Sequence, residues 1–486
     1  MNRTRPVRAM GATVVLIGVA ALLIQLAQPV DAGAKPTSAP VFSSKSLAKA
    51  KVNVPFAFTI KAKANPVAAI TELGPLPVGV TFSDNHNGTA TLSGTEPLAG
   101  TYTIGLQAAN GLGTAGQTLT LAVTSKLPLI RHVFVIMLEN QGYASTFGSP
   151  ASDPYLATTL PGQGALLQNY YGTGHFSNDN YDAFVSGQPP NSSSQFDCST
   201  FSEFATGSGQ DAQGIQQGAG CIYPTAVKTV ADQLGGEGLS TKGYMEDMGN
   251  VPTRESPTCG HPVPGGADPS FGAVPGDGYA TRHDPFVYFH SIIDNTALCN
   301  QMVVPLGTTS GALPAGTPAG VTGLATDLAS TATTPNLSFI TPNLCNDGHD
   351  YPCTNEPTPS SSASGDVNSF LATWVPLITS SPAFQKDGLL EITFDEAESP
   401  SLDTTACCGE TPGPAATAGG NGISGPGGGR VGAVLLSPFI APGTVSKKTS
   451  FNHYSSLASI EDLFGLARLG EAKTVTTTFD KGIYKK

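Results

Sequence analysis

The sequence predicts an α/β layered domain with a mostly parallel central sheet, preceded by a small all-β sandwich. Over residues 40–124, short runs alternate apolar and polar residues, and turn residues such as those at 85–88 separate them. This pattern is typical of a β-sandwich. After a short joint at 125–128 the runs become continuously apolar and β-branched, which indicates strands buried on both faces of a sheet.

The second part of the chain alternates such strands with helical stretches. We expect strands at 130–138, 337–341, 389–394 and 431–436, and helices around 226–234, 366–378 and 455–466. Strands and helices in alternation predict helices layered on a sheet. Open α/β sheets bind ligands at the carboxyl ends of their strands, so functional residues are expected directly after the strands.

Length and charge limit the classes of protein to which the chain can belong. A chain of 486 residues exceeds one ordinary domain of about 100–200 residues. Charged residues make up only 12%, and the 57 glycines and 39 prolines indicate long ordered loops. The net charge of −12 and the lack of a basic run argue against a nucleic-acid partner, because phosphate-backbone binding requires clustered Lys and Arg.

The N-terminus has the pattern of a secretory signal peptide. Three arginines precede an apolar stretch at 12–26, and small residues follow at 32–34. An uncleaved membrane anchor is the alternative, because this stretch approaches the roughly 20 residues of a spanning helix. We favour cleavage and a secreted or cell-surface protein with no stable membrane anchor. The predicted organisation is a signal peptide at 1–34, a sandwich at 36–125 and a second domain at 129–486.

All eight cysteines lie after the sandwich. An even number of cysteines on an exported chain predicts disulfides. A zinc site is the weaker alternative, because no pair of cysteines has the CxxC spacing. We expect neighbours along the chain to pair, with Cys407 and Cys408 as a candidate vicinal pair, although the sequence leaves the connectivity open.

Two predicted strands end in pairs of oxygen-bearing side chains. The strand at 130–138 leads into Glu139 and Asn140, and the strand at 389–394 leads into Asp395 and Glu396. A single acidic residue after a strand is usually a solvated turn. Two such pairs at one sheet edge could instead surround a hard divalent cation, which prefers carboxylate and carbonyl oxygens.

Ser177 opens a predicted helix that stops near Gly187. One interpretation is structural, with Ser177 as an N-cap that supports Asn180. The other is functional, because the start of a helix presents backbone N–H groups and a positive dipole to a phosphate.

Several short motifs of the second domain resemble those of a known family. They are HVFVIMLEN at 132–140, SNDNY at 177–181, HDPFVY at 283–288, the segment 343–350, ITFDE at 392–396 and NHYS at 452–455. In this order they resemble the bacterial and fungal phosphoesterase family that contains phospholipases C and acid phosphatases. The resemblance implies an alkaline-phosphatase-like layered fold, because that family looks like a branch of the alkaline-phosphatase superfamily.

The same resemblance implies roles for individual residues. The implied catalytic residues are Ser177 as the nucleophile, Asn180 as its companion at the phosphoryl oxygens, His349 as a metal ligand or acid/base, and His283 as a phosphate contact. The implied metal ligands are Glu139, Asn140, Asp395 and Glu396. The sequence departs from the family at Gln141, where a histidine usually follows the Glu-Asn pair. Among the other histidines, His175 and His453 are weaker site candidates, whereas packing or surface roles are expected for His132 and His290.

The implied function is that of a secreted, metal-dependent hydrolase of phosphate esters, similar to acid phosphatases, with a phosphoseryl intermediate. A phospholipase C acting on phosphodiesters of lipid head groups is one alternative, and a catalytically inactive exported binding or adhesion protein is another. A sulfatase is disfavoured, because no Cys- or Ser-x-Pro-x-Arg motif stands at Ser177. The metal is left open among Ca²⁺, Mg²⁺, Mn²⁺, iron and Zn²⁺. The expected partner is a phosphate-ester substrate, with phospholipid as one option.

The sandwich segment has a resemblance of its own. The runs LPVGVTF at 76–82 and NGTATLSGT at 87–95 resemble bacterial immunoglobulin-like modules. The segment holds no cluster of titratable groups, so we assign it a spacing or adhesion role.

Overall fold

The computed structural model describes residues 36–52, 54–95, 99–125, 127–148, 153–205, 207–354, 362–399, 402–414, 427–480 and 482–485. The predicted signal peptide at 1–34 lies outside these ranges. Within them, no helix combines the length and the apolar character needed to cross a membrane.

The first part of the chain is a sandwich of two four-stranded sheets. Its strands are β1 (Ser38–Phe42), β2 (Leu47–Lys51), β3 (Phe56–Asn65), β4 (Ala69–Leu73), β5 (Val80–Asp84), β6 (Thr89–Gly94), β7 (Gly100–Asn110) and β8 (Gly113–Thr124). The sheet orders are β1-β3-β6-β5 and β2-β8-β7-β4, and the pair β2–β8 is parallel.

The alternating pattern of the sequence is the reason for this sandwich. In β3, for example, Ile60 and Ala62 are buried while Lys61 and Lys63 are exposed, because successive side chains of a strand point to opposite faces. The inward faces of the two sheets form one apolar core, which includes Ile60, Leu92 and Leu121. The all-β sandwich predicted from the sequence is therefore confirmed.

The second part of the chain is built on an eight-stranded sheet. The strands of this part are β9 (His132–Leu138), β10 (Ala165–Leu167), β11 (Tyr170–Tyr171), β12 (Thr241–Met245), β13 (Val303–Pro305), β14 (Leu337–Thr341), β15 (Gly388–Phe394), β16 (Ala433–Leu436), β17 (Thr444–Ser446) and β18 (Phe451–Asn452). The sheet order is β13-β12-β14-β9-β15-β16-β10-β17, and β11 pairs separately with β18. Only β16 runs against the others, so the prediction of a mostly parallel sheet is confirmed.

Ten α-helices lie among the described residues of this part. They are α1 (Tyr143–Thr146), α2 (Leu160–Gln163), α3 (Ser177–Ser186), α4 (Val230–Gly236), α5 (His290–Ile293), α6 (Thr296–Met302), α7 (Leu324–Asp327), α8 (Ala363–Ser380), α9 (Pro382–Asp387) and α10 (His453–Phe464). The predicted helices at 226–234, 366–378 and 455–466 correspond to α4, α8 and α10 with shifted ends.

Helices cover both faces of the central sheet. Every residue of β9, β14 and β15 is buried, as the continuous apolar runs predict. On one face, Phe184 of α3 meets Phe339 of β14 edge-on, with ring centroids 5.6 Å apart. On the other face, Phe384 of α9 lies 6.4 Å from Phe134 of β9. The strands are thereby held firmly, and their carboxyl ends become fixed points for a site.

All eight cysteines form disulfides. The pairs are Cys198–Cys221, Cys259–Cys299, Cys345–Cys353 and Cys407–Cys408. The expected pairing of neighbours along the chain, including the vicinal pair, is confirmed.

Helix α10 carries a buried carboxyl group away from the strand ends. Glu461 is fully buried, and its Oε1 accepts a hydrogen bond from the Leu469 backbone N at 2.8 Å. Its Oε2 has no hydrogen-bond partner among the described residues. Burial raises the pKa of Glu461 from 4.5 to about 9. The folded protein therefore holds a proton on this group at neutral pH.

We expect Glu461→Gln to raise the melting temperature at pH 8 and to change it little near pH 4. The folded pKa lies above the unfolded one, so the stability contributed by the proton is complete below about 4.5 and is lost as the pH rises through about 9. Glutamine removes that loss, and the gain at pH 8 should be roughly 2 °C or more by scanning calorimetry. The exposed Glu237 supplies the control variant Glu237→Gln. An equal gain at both pH values, or in both variants, contradicts the expectation.

Candidate active site

The two acidic strand ends lie side by side. Strands β9 and β15 are parallel neighbours in which Leu138 pairs with Phe394, so the next residues, Glu139 and Asp395, are adjacent at the carboxyl edge. Asp395 Oδ1 accepts hydrogen bonds from the backbone N of Asn140 at 3.0 Å and of Glu396 at 2.7 Å. The prediction that both strand ends face one edge is correct.

Ser177 is the first residue of α3, but its hydroxyl does not cap the helix. The N-cap position belongs to Phe176, which has an extended backbone and makes no side-chain cap. The hydroxyl of Ser177 instead donates to Glu139 Oε2 at 2.9 Å. The hydrogen bond to Glu139 is consistent with the functional interpretation of Ser177. The capping interpretation is wrong, because Phe176 occupies the N-cap position.

Three further side chains surround Glu139. The Tyr181 hydroxyl donates to Glu139 Oε1 at 2.5 Å, and its ring stacks on His283 with centroids 5.4 Å apart. His283 Nδ1 lies 3.2 Å from Asp347 Oδ2, and its Nε2 lies 3.5 Å from Glu139 Oε1. One ligand atom from each of Glu139, His283 and Asp347 lies within 4.8 Å of the other two. These three residues form a compact buried group.

Burial and mutual repulsion shift the proton affinities of this group. Burial, followed by the charges of Asp395 and Asp347, raises the pKa of Glu139 well above its ordinary value. Burial likewise raises the pKa of Asp347 well above normal and that of Asp395 to about 6. Burial, followed by the charge of Arg282, lowers the pKa of His283 well below normal. The cluster therefore has a strong excess of acidic groups over cationic ones.

The residues present fit a hard divalent cation. Asp395 Oδ2 is buried and has no hydrogen-bond partner among the described residues, and a buried unpaired carboxylate oxygen is costly. A cation beside it would relieve the repulsion among the carboxylates of Glu139, Asp347 and Asp395. The Cys407, Cys408 and Glu410 group also has metal-like spacing, but its sulfurs are joined in a disulfide and are not thiolate ligands.

Two of the predicted metal ligands make other contacts. Glu396 Oε2 accepts from the Asn180 amide at 3.3 Å, and its Oε1 lies 3.8 Å from His175 Nδ1, so this carboxylate points towards the start of α3. Asn140 contributes its backbone N to Asp395, and its φ of 54° is a left-handed conformation that Asn tolerates well. The ligand roles of Asn140 and Glu396 therefore stay predictions.

Asn180 is engaged almost entirely with the backbone that precedes α3. Its Oδ1 accepts from Thr173 N and Oγ1 and from Gly174 N, at 2.7 to 3.1 Å. Its Nδ2 donates to the carbonyls of Gly174 and Phe176 at 2.9 and 3.0 Å. These contacts fix the turn that precedes Ser177. The predicted contact of Asn180 with phosphoryl oxygens stays a prediction.

His349 lies beside Arg282. His349 Nε2 accepts from Arg282 Nη2 at 3.1 Å, so the ring proton sits on Nδ1, which donates to Asp350 Oδ1 at 2.7 Å. The guanidinium also lies 3.9 Å from Asp197 Oδ2. The backbone N of Asn178, at the start of α3, donates to the other oxygen of Asp197 at 3.1 Å.

Residues that the sequence did not single out complete the site. Asp347, Tyr181 and Arg282 each lie inside or next to a motif that the resemblance identified, but no role had been assigned to them. Arg282 carries one usable signal, since no other Lys or Arg occurs between Arg254 and Lys386. Asp197 sits in an irregular loop and left no recognisable pattern.

The other histidines have distinct places. His453, at the start of α10, is buried, and its Nε2 lies 2.7 Å from the backbone O of Asp395. His453 thus supports a strand end that carries a candidate ligand. His175 Nε2 contacts the Asp403 carbonyl at 2.6 Å, and buried His132 lies 2.5 Å from Asp387. His290 bridges Glu203 and Asp294 near the surface.

One cavity of the described residues lies away from this site. It has a volume of about 660 Å³ and opens at the amino end of β12, lined in part by Ser240, Thr241 and Met302. The candidate site lies at the opposite, carboxyl edge of the sheet.

The fold and the site define a class: an α/β protein with a buried serine and a carboxylate cluster at the carboxyl edge of a mostly parallel sheet. The chain belongs to the Phosphoesterase family, whose sequence profile matches residues 150–467. That match includes Ser177, Asp347 and Asp395, but the Glu139 strand end lies before it.

Several characterised proteins are similar to this chain. An acid phosphatase of Aspergillus fumigatus is 26% identical over 69% of the chain, and a phosphate-repressible acid phosphatase of Penicillium chrysogenum is 27% identical over 69%. The alignments cover only 55% and 59% of those two proteins. A phosphatidylinositol-3-phosphatase of Mycobacterium tuberculosis is 23% identical over 72% of the chain and 81% of its own length.

A solved structure in the alkaline phosphatase superfamily, from Vibrio parahaemolyticus, is also similar to this chain. It covers 70% of the chain and 67% of its own, with 13% identity and a TM-score of 0.39.

We expect Asn180→Ala to lower stability as well as turnover. Alanine leaves three donors around residues 173 and 174 without their acceptor, which should cost about 3 kcal/mol, or roughly 5 °C or more in melting temperature. The measurement is thermal unfolding followed by circular dichroism, beside titration with inorganic phosphate. An unchanged melting temperature with lost phosphate binding would instead favour direct contact of Asn180 with the phosphoryl group.

Proposed function

We propose that this protein is a metal-dependent phosphomonoesterase that uses Ser177 as its nucleophile. The observation that carries the proposal is the hydrogen bond from the Ser177 hydroxyl to Glu139 Oε2 within a buried carboxylate cluster. A serine hydroxyl is a weak nucleophile unless a base or a metal activates it, and this cluster is suited to provide both.

The proposed metal site combines residues from three strand ends. Glu139 follows β9, Asp395 follows β15, and Asp347 lies in the loop after β14, with His283 beside them. These side chains would hold the ion, and the family resemblance adds Asn140 and Glu396 as candidates. When bound, a divalent cation lowers the pKa of a coordinated hydroxyl and neutralises charge that develops on the phosphoryl group.

The chain's own residues supply the remaining steps. Ser177 Oγ attacks phosphorus, its proton passes to Glu139 Oε2, and the bond from phosphorus to the ester oxygen breaks. The leaving alcohol takes up the proton that Glu139 accepted, relayed by solvent. Water then attacks the phosphoseryl group, which releases inorganic phosphate and restores the Ser177 hydroxyl. Tyr181 holds Glu139 from the other side, so its carboxylate keeps the orientation needed for proton transfer.

The preferred substrates are phosphate monoesters. The similar proteins named as acid phosphatases and as a phosphatidylinositol-3-phosphatase support this choice. The last of these names makes a phosphorylated lipid head group one reasonable monoester substrate. A phospholipase C activity on diesters is the second candidate, because the same serine and metal chemistry can act on either ester.

We further propose that the protein is exported. Four disulfides that pair all eight cysteines suit an oxidising compartment. The boundaries at 36–125 and 129–486, and an immunoglobulin-like spacing or adhesion role for the sandwich, belong to the same proposal.

Ser177→Ala should reduce turnover of p-nitrophenyl phosphate on the order of 10³-fold or more, because it removes the hydroxyl that would form the phosphoseryl intermediate. The matched control is Ser186→Ala at the far end of α3, where the hydroxyl donates to the Asp182 carbonyl. Release of p-nitrophenol is measured for the monoester and for its phosphorylcholine diester. Full turnover in Ser177→Ala would refute the nucleophile, and no turnover of either ester by the wild type would favour a binding protein.

Asp347→Asn should weaken divalent metal binding about tenfold or more, because it removes one carboxylate from the cluster without changing its shape. Metal affinity is measured by calorimetry on chelator-treated protein, and wild-type turnover should fall with chelator. Asp350→Asn, next to His349 on the same loop, is the control for loop disturbance. Equal metal affinities in wild type and Asp347→Asn would exclude Asp347 as a ligand.

A further inference from the structure

Arg282 places a buried positive charge near the start of α3, to which Asp197 links it. The residue is only 2% exposed and immediately precedes His283. Its Nη1 donates to the Phe271 carbonyl at 2.5 Å and its Nη2 donates to His349 Nε2 at 3.1 Å. A guanidinium has five N–H donors, so these two bonds leave donors free. Its Nε is buried and has no hydrogen-bond partner among the described residues.

The start of α3 is less available to an anion than the sequence suggests. Asp197 Oδ1 already accepts from the Asn178 backbone N at 3.1 Å, which places a carboxylate where a helix N-terminus would otherwise bind phosphate. Asp197 Oδ2 lies 3.9 Å from Arg282 Nε, beyond hydrogen-bond distance. The Asp197 carboxylate thus lies between α3 and the guanidinium, which shows that this position accepts a negative group. The Nε–H of Arg282 is still free to donate there.

His283 does not supply the missing charge. Its Nε2 lies 3.5 Å from Glu139 Oε1 and its Nδ1 lies 3.2 Å from Asp347 Oδ2, so the acidic cluster already engages both ring nitrogens. The permanently charged guanidinium is therefore the cation best placed to meet a phosphoryl group at Ser177.

We propose that Arg282 binds the non-bridging oxygens of the phosphoryl group at Ser177 and thereby selects monoesters over diesters. The inference rests on the proposed phosphoesterase function and names the residue that sets its substrate class. A monoester carries a charge of about −1.5 to −2 at pH 7 and three non-bridging oxygens. A diester carries a single charge and two such oxygens. The buried, planar guanidinium of Arg282 should bind the monoester more tightly than the diester. Charge-assisted hydrogen bonds become stronger as the charge of the ligand rises and as water is excluded.

A purely structural role for Arg282 is the competing explanation. Its bond to Phe271 O and its ring contact, with the guanidinium carbon 5.0 Å from the centre of the Phe271 ring, also hold the loop that contains Phe271. Loss of that support would lower turnover of both esters together. A change in the ratio between the two esters distinguishes selection from support.

The test compares kcat/KM for p-nitrophenyl phosphate and for bis(p-nitrophenyl) phosphate. Arg282→Met keeps the length of the side chain and removes its charge. It should lower the monoester value about 100-fold or more and the diester value less than about 5-fold. Arg254→Met is the matched control, because Arg254 donates to the carbonyls of Pro269 and Gly272 and so supports the same loop. Its ratio of monoester to diester turnover should equal that of the wild type.

A second readout does not depend on turnover. Inorganic phosphate, titrated by calorimetry into the metal-loaded protein, should bind Arg282→Met at least about tenfold more weakly than wild type. If Arg282→Met shows no cooperative melting transition, Arg282→Lys carries the test. It keeps the charge without the planar fork and should still lower the ester ratio about tenfold.

The outcomes separate this inference from the proposed function. Absence of turnover of either ester by the wild type would overturn both. Wild-type monoesterase activity, with an unchanged ester ratio and phosphate affinity in a folded Arg282 variant, would overturn the role of Arg282 alone. A parallel fall for both esters with unchanged phosphate affinity would assign Arg282 to support of the loop.

Discussion

Repulsion among buried carboxylates at neighbouring strand ends is the constraint around which the site is arranged. The register of β9 and β15 fixes the positions of two of these carboxylates. Because Leu138 pairs with Phe394, the next residues, Glu139 and Asp395, lie side by side. Asp347 enters the same space from the loop after β14. Groups of like charge in a dry environment are costly, and each neighbour in the site can be understood by how it offsets that cost.

Two kinds of group offset the repulsion. Donors from the chain reach some of the oxygens: the Ser177 and Tyr181 hydroxyls bond to Glu139, and two backbone N–H groups bond to Asp395. They do not reach all of them, since Asp395 Oδ2 has no hydrogen-bond partner among the described residues. A divalent cation would supply the remaining compensation. The same excess of acidic groups would hold the metal and keep the proposed nucleophile Ser177 oriented, so metal binding and catalysis would share one physical cause.

Other residues fix the backbone segments that carry Ser177 and Asp395. Asn180 ties down the turn before α3, and His453 contacts the carbonyl of Asp395. Neither residue needs to touch a substrate to matter for activity. Asp197 and Arg282 form a more polar side of the site, where a negative group is already accommodated, and this side would face the phosphoryl group. The site is thus acidic where a metal would bind, and it carries the Arg282 guanidinium on the side where a phosphate would bind.

The sequence by itself determined the architecture and predicted two of the carboxylates that meet in the candidate site. The hydrophobic pattern predicted both folded parts. Apolar residues alternate with polar ones in the sandwich, where each strand is buried on one face, and they are continuous in the later strands, which are buried on both faces. Polar residues directly after buried strands predicted Glu139 and Asp395, since parallel strands end at one edge. Only the tertiary structure decided that Glu396 turns towards Asn180, that Asp347 joins Glu139, and that Arg282 and Asp197 meet at the start of α3. These contacts join loops far apart in the chain, and local periodicity carries no information about how such loops meet.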